Sequence, residues 1–502
     1  MGVQRLKLVT EVLSGLFKNE FTRAFEARDT SDASGLAREQ LRARDVRLGL
    51  ERLGPFYVKL GQMLSTRPDI VPPAVMVELE KLHDRVSPAP FSTFEPVLED
   101  ELGPDWKERF QHVELLEPLG VASLAQVYGA TLRNGDPAVI KIQRPGIKGM
   151  VLEDMRMMRR AARMIGKCAP RFHSVVDVEA MLGVLFDAMR PELDFNVEAS
   201  HMEEARRAVR DFQHLSVPEV VWSSERVLVQ TLAPGRSIRH VDRAAMPVQE
   251  RTAIGKDLLA FTYHGFFVNR VFHADPHPGN IFVQPGAPAS LIDWGMVGRL
   301  DRSTSLKIML VLLNLAENDG QALAKSWIEL GYATEWADVP AFMSDMAALT
   351  PKIASASLEE LDFGVTLTSV LERSTKRGIK TNPVISVLGK AFANIEGSVR
   401  CVAPELSITD VFHDQMRGIM TALAREQCST TRVARVATEL MLDLDVVPGQ
   451  LRTVLRDLAN RELSVRTGDR NASQENRFQV PPSLVALGGA ALWLHHRRNR
   501  PR

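Results

Sequence analysis

Apolar residues along this chain of 502 residues follow three successive regimes. Up to about residue 112 they recur at spacings of three and four, the signature of amphipathic helices. Leu6, Val9, Leu13, Leu16 and Phe17 mark the first, with Arg5, Lys7 and Lys18 on other faces. The polar stretch at residues 29–35 (DTSDASG) predicts a break before a helix over residues 36–53. Gly54-Pro55 opens another helix carrying Lys59, Gly61 and Gln62, and Pro72-Pro73 restarts one through Glu78, Leu79, Leu82 and His83. A further helix over residues 92–102 stops at Gly103-Pro104.

From Val113 the pattern changes to short β-type runs: a first strand, a turn at Gly120-Val121-Ala122-Ser123, strands at 124–130 and 137–142, and Asn134-Gly135 as the hairpin turn between them. Helical spacing returns at 151–165 and 178–189 and leads into PELDFNVEA, which holds Glu192, Asp194 and Glu198. A strand at 226–231 and a hinge at Ala233-Pro234-Gly235 precede a mostly helical remainder. Within it, an apolar run at 257–268 feeds into FHADPHPGN, followed by two short strands at 281–283 and 290–292 and then LIDWG.

That last stretch carries the densest chemistry. Asn280 lies five residues after Asp275, and Asp293 thirteen after Asn280, the spacing of a kinase catalytic loop followed by its metal-binding Asp-x-Gly. The hairpin between the two short strands predicts that Asn280 and Asp293 meet, and both offer the hard oxygens that Mg²⁺ prefers when it bridges nucleotide phosphates. Asp275 suits the orientation or deprotonation of an acceptor hydroxyl. Lys141 stands in AVIK, the pattern of the lysine that pairs with nucleotide phosphates and with a helical glutamate. Glu198 is the expected partner, although three acids between Glu192 and Glu198 also read as a helix-dipole cluster. Lys59 and Gln62, three apart on one helix, read from spacing alone as a solvated pair. A helix over residues 303–315 follows Asp293 after about eight residues, with no Ala-Pro-Glu, so little room is left for a peptide-docking segment. The helices beyond it offer no further chemical constellation.

Composition removes alternatives. With 45% hydrophobic and 25% charged residues the chain is globular, and 62 basic against 62 acidic residues leave no global field to attract nucleic acid. Cys168, Cys401 and Cys428 stand far apart, which predicts reduced thiols in a cytoplasmic protein, with neither a zinc site nor a disulfide framework. The N-terminus lacks the pattern of a secretory signal.

Taken together, GPFYVKLGQMLSTRPDIVP, AVIK, PELDFNVEA, HADPHPGN and LIDWG resemble the UbiB/aarF-domain family of atypical kinases over about residues 53–300. The resemblance implies an α+β, two-lobe protein-kinase-like fold with a helical Lys-x-Gly-Gln extension, a mostly α-helical C-lobe, and ATP or ADP with Mg²⁺ as cofactors. It changes the reading of Lys59, implying that this lysine reaches into the active site to contact Glu192 or Asp194, and that the extension covers the side where a peptide would bind. GVASLAQV is similar to the family's alanine-rich phosphate loop and implies nucleotide contacts by Ala122, Ser123 and Gln126, though Gly120 and Val121 stand where alanines are usual.

The resulting division is a leader at 1–52, the extension at 53–112, an N-lobe at 113–234, a C-lobe at 235–475, and an apolar-then-basic tail at 476–502. Residues 483–494 would make roughly 18 Å of helix against a bilayer core of about 30 Å, so the tail is expected to bind the membrane surface without spanning it. The function implied is an ATPase or small-molecule/lipid kinase in isoprenoid quinone or related lipid metabolism. Its implied partners are isoprenoid or quinone intermediates and other biosynthetic enzymes, and its place is the inner face of the membrane. A small-molecule phosphotransferase of the aminoglycoside or choline kinase type and a nucleotide-binding pseudokinase scaffold are the alternatives.

Overall fold

The computed structural model describes residues 5, 9, 11–12, 32–65, 71–79, 81–82, 88–168, 182–183, 186–187, 189–355, 363–382 and 384–427. The tail at 476–502, most of the expected helices at 6–17 and 178–189, and residues 66–69 lie outside these. Two compact units are present, Met1–Ala422 and Leu423–Arg502, and the first holds all the described strands and the cleft residues.

Among the described residues, the N-terminal region holds helices α1 (Asp32–Leu53), α2 (Pro55–Leu64), α3 (Pro73–Leu79) and α4 (Glu95–Leu102). Helix α1 already begins at Asp32, inside the stretch of residues 29–35 expected as a break. Helix α2 buries Phe56, Tyr57, Leu60 and Met63 against α5 (Ile147–Cys168), which contributes Val151 and Met155 to the same core. Gly61 lets α2 approach its neighbours, since a Cβ there would sit 2.3 Å from Leu82 Cδ1 and 2.9 Å from Leu50 Cδ1. Gln62 Nε2 donates to the Leu82 carbonyl at 2.6 Å.

The strands of the N-lobe are β1 (Phe110–Val113), β2 (Gly120–Val121), β3 (Ala125–Leu132), β4 (Pro137–Gln143), then, after α6 (Phe195–Ala208) and the short β5 (Leu215–Ser216), β6 (Val220–Ser223) and β7 (Val227–Thr231). They form an antiparallel sheet in the order β1-β3-β4-β7-β6, with β2 beside β3, while β5 belongs to another sheet. The period of two along β4 sends Ala138, Ile140 and Ile142 into a core with Val97, Leu98 and Trp106, and turns Lys141 to the opposite face.

Beyond the hinge come β8 (Arg236–Ser237), α7 (Val248–His264), β9 (Val271–His273), β10 (Ile281–Val283), β11 (Ala289–Leu291), β12 (Val297–Arg299) and α8 (Arg302–Ala316). The helices α9 (Gly320–Leu330), α10 (Val339–Ser355), α11 (Phe363–Lys376), α12 (Val384–Val402) and α13 (Ile408–Gln427) complete the series. Strand β12 pairs with β9, and Asp301 caps α8 by accepting from Thr304 N at 3.0 Å, so only residues 294–301 separate Asp293 from the next helix. This is the short connection expected from the sequence. No helix among the described residues is long and apolar enough to cross a membrane.

Candidate active site

Lys141 lies on a central strand, opposite Val127 of β3 and Leu228 of β7, so the sheet fixes its backbone from both sides. Its Nζ is 2.9 Å from both carboxylate oxygens of Glu198 and 3.1 Å from Asp293 Oδ1. Glu198 projects from the first turn of α6, and its side chain is only 3% exposed, whereas that of Asp293 is 50% exposed and opens to the cleft. One lysine therefore serves two carboxylates. Burial penalises the charge on Lys141, yet Asp293 and Glu198 outweigh that penalty and raise its pKa above the ordinary value. Of the two acids it is Glu198 that yields: burial, with Asp293 close by, pushes its carboxyl up to about 7 against the pull of Lys141. Lys141 and then Lys59 hold Asp293 well below the usual carboxylate range.

Asp293 is also one of three described non-glycine residues with positive φ, at 59°. An aspartate enters this left-handed region more readily than most side chains, and here the turn aims its carboxylate at Lys141. A Cβ at Gly295 would lie 3.4 Å from Asp293 Oδ1, 3.5 Å from Glu192 Cγ and 3.9 Å from Glu198 Oε2, which shows how tightly these acids converge on the Asp-Trp-Gly turn.

The hairpin performs as its apolar pattern implied. Ile281 pairs with Leu291, and Ile292 N donates to the Asn280 carbonyl at 2.9 Å, bringing Asn280 beside the residue that precedes Asp293. Asn280 Nδ2 donates to the Asp275 carbonyl at 3.1 Å, which leaves Oδ1 without a hydrogen bond among the described residues. His273 organises the loop from beneath. Asp275 N donates to its Nδ1 at 3.1 Å, so the ring carries its proton on Nε2 and donates to the Ile292 carbonyl at 3.2 Å. Burial lowers its pKa, in keeping with that neutral tautomer.

Lys59 reaches from α2 to Glu192, Nζ to Oε1 2.9 Å. Burial opposes its charge, but Glu192, Asp275 and Asp293 together raise its pKa above the ordinary lysine value, so it stands in the field of both loop aspartates. The spacing-based reading of a solvated Lys59–Gln62 pair fails. Lys59 turns into the cleft while Gln62 anchors α2.

Two expectations change. Asp194, the alternative partner for Lys59, instead caps α6, its side chain accepting from Asn196 N at 3.0 Å. Asp194 thus caps the helix, while Glu198, in the first turn of the same helix, turns its carboxylate to Lys141. Gln126 is fully buried, with its amide committed elsewhere. Oε1 accepts from Ala89 N at 3.0 Å, while Nε2 donates to the Ala89 carbonyl at 2.9 Å and to Tyr128 Oη at 2.6 Å. Its position in the sequence matched a phosphate loop, but its side chain joins the sheet to the segment leading into α4. Ala122 and Ser123 do form the turn between β2 and β3, closed by Ala122 N donating to the Ala125 carbonyl at 2.9 Å.

The sequence reading missed three residues of α12, at positions spaced by four on one face. Lys390 Nζ is 3.1 Å from Asp275 Oδ1, Asn394 Nδ2 donates to the same oxygen at 2.7 Å, and Ser398 Oγ donates to the Pro276 carbonyl at 3.1 Å. The assumption that the C-lobe helices carry no further constellation is therefore wrong. The signal was present as Lys-x-x-x-Asn-x-x-x-Ser, but a helix face shows its partner only once the fold supplies it. His201, one helical turn after Glu198, likewise went unremarked, and its Nδ1 lies 3.1 Å from the Trp294 carbonyl, joining α6 to the Asp293 turn.

The residues present fit a magnesium nucleotide. Asp293 is ionised and open, Asn280 stands immediately before β10 of the same hairpin, and Mg²⁺ usually takes only one or two protein ligands beside phosphate oxygens.

Comparison with known proteins adds an independent line. The ABC1 atypical kinase-like domain matches residues 81–327. The chain is 31% identical over 473 residues to a probable protein kinase UbiB of Cellvibrio japonicus, covering 90% of this chain and 84% of that one. It is also 31% identical to an uncharacterized protein of a Synechocystis strain, over 70% of this chain and 88% of that protein. Among solved structures, a Mycobacterium tuberculosis protein in complex with erythromycin superposes with a TM-score of 0.51 at 21% identity, over 71% of this chain and 90% of that one, a likeness of fold.

Proposed function

Because this chain belongs to the UbiB family of atypical kinases, we propose that it is a Mg²⁺-dependent ATP-binding protein, an ATPase or a small-molecule or lipid kinase, serving isoprenoid quinone or related lipid metabolism. The observation that carries the reading is Lys141, shared between Glu198 at 2.9 Å and Asp293 at 3.1 Å. A strand lysine braced by a buried acid and set against a second, open one is the arrangement that kinases use at the phosphate side of a nucleotide. Asn280 and Asp293 would hold Mg²⁺, which when bound neutralises phosphate charge. Lys141 then draws on Glu198 for position and contributes its charge to the phosphates. The turn between β2 and β3, closed by the Ala122 N–H, presents the Ser123 backbone N–H to the nucleotide. Asp275, ionised under Lys390 and Lys59, orients an acceptor hydroxyl or a water.

Lys59 gives this reading its direction. Bound to Glu192 and sensed by Asp275, its charge occupies the acceptor side of the cleft, where the extension leaves little room for a peptide. That supports a small acceptor or water over a protein substrate. It also disfavours the aminoglycoside or choline kinase type of phosphotransferase, which lacks such an extension. A pseudokinase scaffold is the third reading, and it predicts nucleotide binding without turnover. The quinone connection rests on the family. Peripheral association with the inner face of the membrane, with contacts to lipid intermediates and to other biosynthetic enzymes, completes the proposal.

The decisive experiment couples two measurements. Wild-type protein should be thermally stabilised by ATP or ADP only with magnesium present, and a deletion strain should accumulate quinone or lipid intermediates. Magnesium-independent stabilisation together with an unchanged metabolite profile would sink the proposal. Flotation of full-length protein on anionic liposomes, compared with protein lacking residues 483–502, tests the membrane part, and equal recovery of both in the soluble fraction at low salt would refute it.

A further inference from the structure

The residues of α12 that reach Asp275 lie beyond the 81–327 span of the matched domain, and nothing in the loop motif accounts for them. Their geometry is one-sided. Asn394 Nδ2 and Lys390 Nζ both engage Oδ1, at 2.7 and 3.1 Å, and Oδ2 has no bond among the described residues. The clamp is anchored at both ends. Ser398 Oγ lies 3.1 Å from the Pro276 carbonyl oxygen and 2.8 Å from that of Asn394, so its one proton is shared between the loop backbone, one residue beyond Asp275, and its own helix. Lys390 and Asp275 are about equally covered, with side chains 21% and 19% exposed, which makes their contact more than a surface ion pair.

We infer that Lys390 and Asn394 are positioning residues that lock one oxygen of Asp275 and thereby present the other, Oδ2, to the acceptor. An unclamped carboxylate rotates about its Cβ–Cγ bond and offers either oxygen in a range of orientations. Two donors on Oδ1 remove that freedom before substrate arrives, and such pre-organisation accelerates the reaction without contributing to ground-state binding. In the transfer itself the acceptor oxygen forms its bond to the γ-phosphorus as the bond to the β–γ bridging oxygen breaks. That electron pair leaves with ADP, and the acceptor's proton goes to Oδ2. When the acceptor is water the same bookkeeping gives ADP and phosphate. Lys390, held on Oδ1, also keeps that oxygen from competing for the proton.

The inference rests on the proposed phosphotransfer, and the test separates the two. Full-length wild type, Lys390→Ala, Lys390→Arg, Asn394→Ala and Asp275→Asn are compared for magnesium-ATP turnover and for calorimetric nucleotide affinity. The expected result is a 10- to 100-fold fall in kcat for Lys390→Ala and Asn394→Ala, with nucleotide Kd within about twofold of wild type and partial recovery in Lys390→Arg. Unchanged kcat in both alanine variants overturns the clamp, and so does a loss of nucleotide affinity in step with kcat. If wild type and Asp275→Asn turn over ATP equally, or neither does, the phosphotransfer reading itself fails. The clamp is then judged by thermal midpoints in a cycle of Asp275→Asn with Lys390→Ala, where non-additivity is expected and simple additivity overturns it.

Discussion

Lys59 Nζ lies 2.9 Å from Glu192 Oε1, an ion pair that joins the helical extension to the turn preceding α6. Neither side chain is more than 19% exposed, and the lysine also feels Asp275 and Asp293. Removing it should uncover the acceptor side while leaving the Lys141 side intact. For Lys59→Ala we expect nucleotide affinity within about threefold of wild type, increased autophosphorylation, and a loss of stability of at most about 3 kcal/mol from the stranded Glu192. Radiolabel incorporation from ATP alongside calorimetric titration checks this. Lost nucleotide binding with no incorporation would make Lys59 a phosphate contact.

Glu198 provides a pH signature. Its folded pKa of about 7 lies above the ordinary glutamate value of 4.5, so the folded protein holds more of this proton than the unfolded chain between those limits. The associated stability is complete below pH 4.5 and is lost as pH rises through 7, amounting to roughly 3 kcal/mol. Melting curves of nucleotide-free wild type from pH 5 to 8 should show this decline relative to Glu198→Gln, which cannot titrate. Parallel curves for the two proteins would contradict the assignment.

Lys141 was legible through its AVIK motif, and the alternation along β4 explains why it turns away from the core, while the apolar hairpin was enough to place Asn280 beside Asp293, because a two-strand hairpin has few registers. Lys59 was legible only through its motif. The apolar positions around it show a helix packed on something, without showing what its polar face meets. Gln126 misled for the opposite reason. It stood at the right place in a loop pattern, but its side chain alternates to the face of the sheet that receives Ala89. Lys390 and Asn394 could not be read at all, since their partner Asp275 comes from a loop more than a hundred residues away. Local pattern fixes which face a side chain takes, and tertiary packing decides what it finds there.

Gln126 tests that distinction directly. If the amide is a latch, Gln126→Leu removes both bonds to the half-buried backbone of Ala89, at about 0.5–1.5 kcal/mol each, and should lower the thermal midpoint. Nucleotide affinity in the surviving folded protein should stay within about threefold of wild type. A variant of normal stability with affinity reduced tenfold or more would restore Gln126 to the phosphate site.

The last prediction separates the two groups that touch at Lys141 and Asp293. They form one ion pair, yet under the proposed function they should fail differently, because one would serve as a point charge for phosphate and the other as a metal ligand. Asp293→Asn keeps the shape and removes the charge, so magnesium-dependent stabilisation by ATP or ADP should vanish. Lys141 then relaxes fully onto Glu198, whose carboxyl loses the repulsion of Asp293 and ionises more readily. Lys141→Ala should instead weaken nucleotide binding with or without the metal, by roughly 10- to 100-fold for a lost charge-assisted contact, while some magnesium dependence persists. It also leaves Glu198 buried without its cation, so this variant, unlike Asp293→Asn, should be less stable than wild type in the absence of nucleotide. Differential scanning fluorimetry with ATP, ADP, magnesium and chelator gives all four comparisons in one plate. Identical responses from the two variants would show that the pair acts only as an ion pair and that the nucleotide site lies elsewhere.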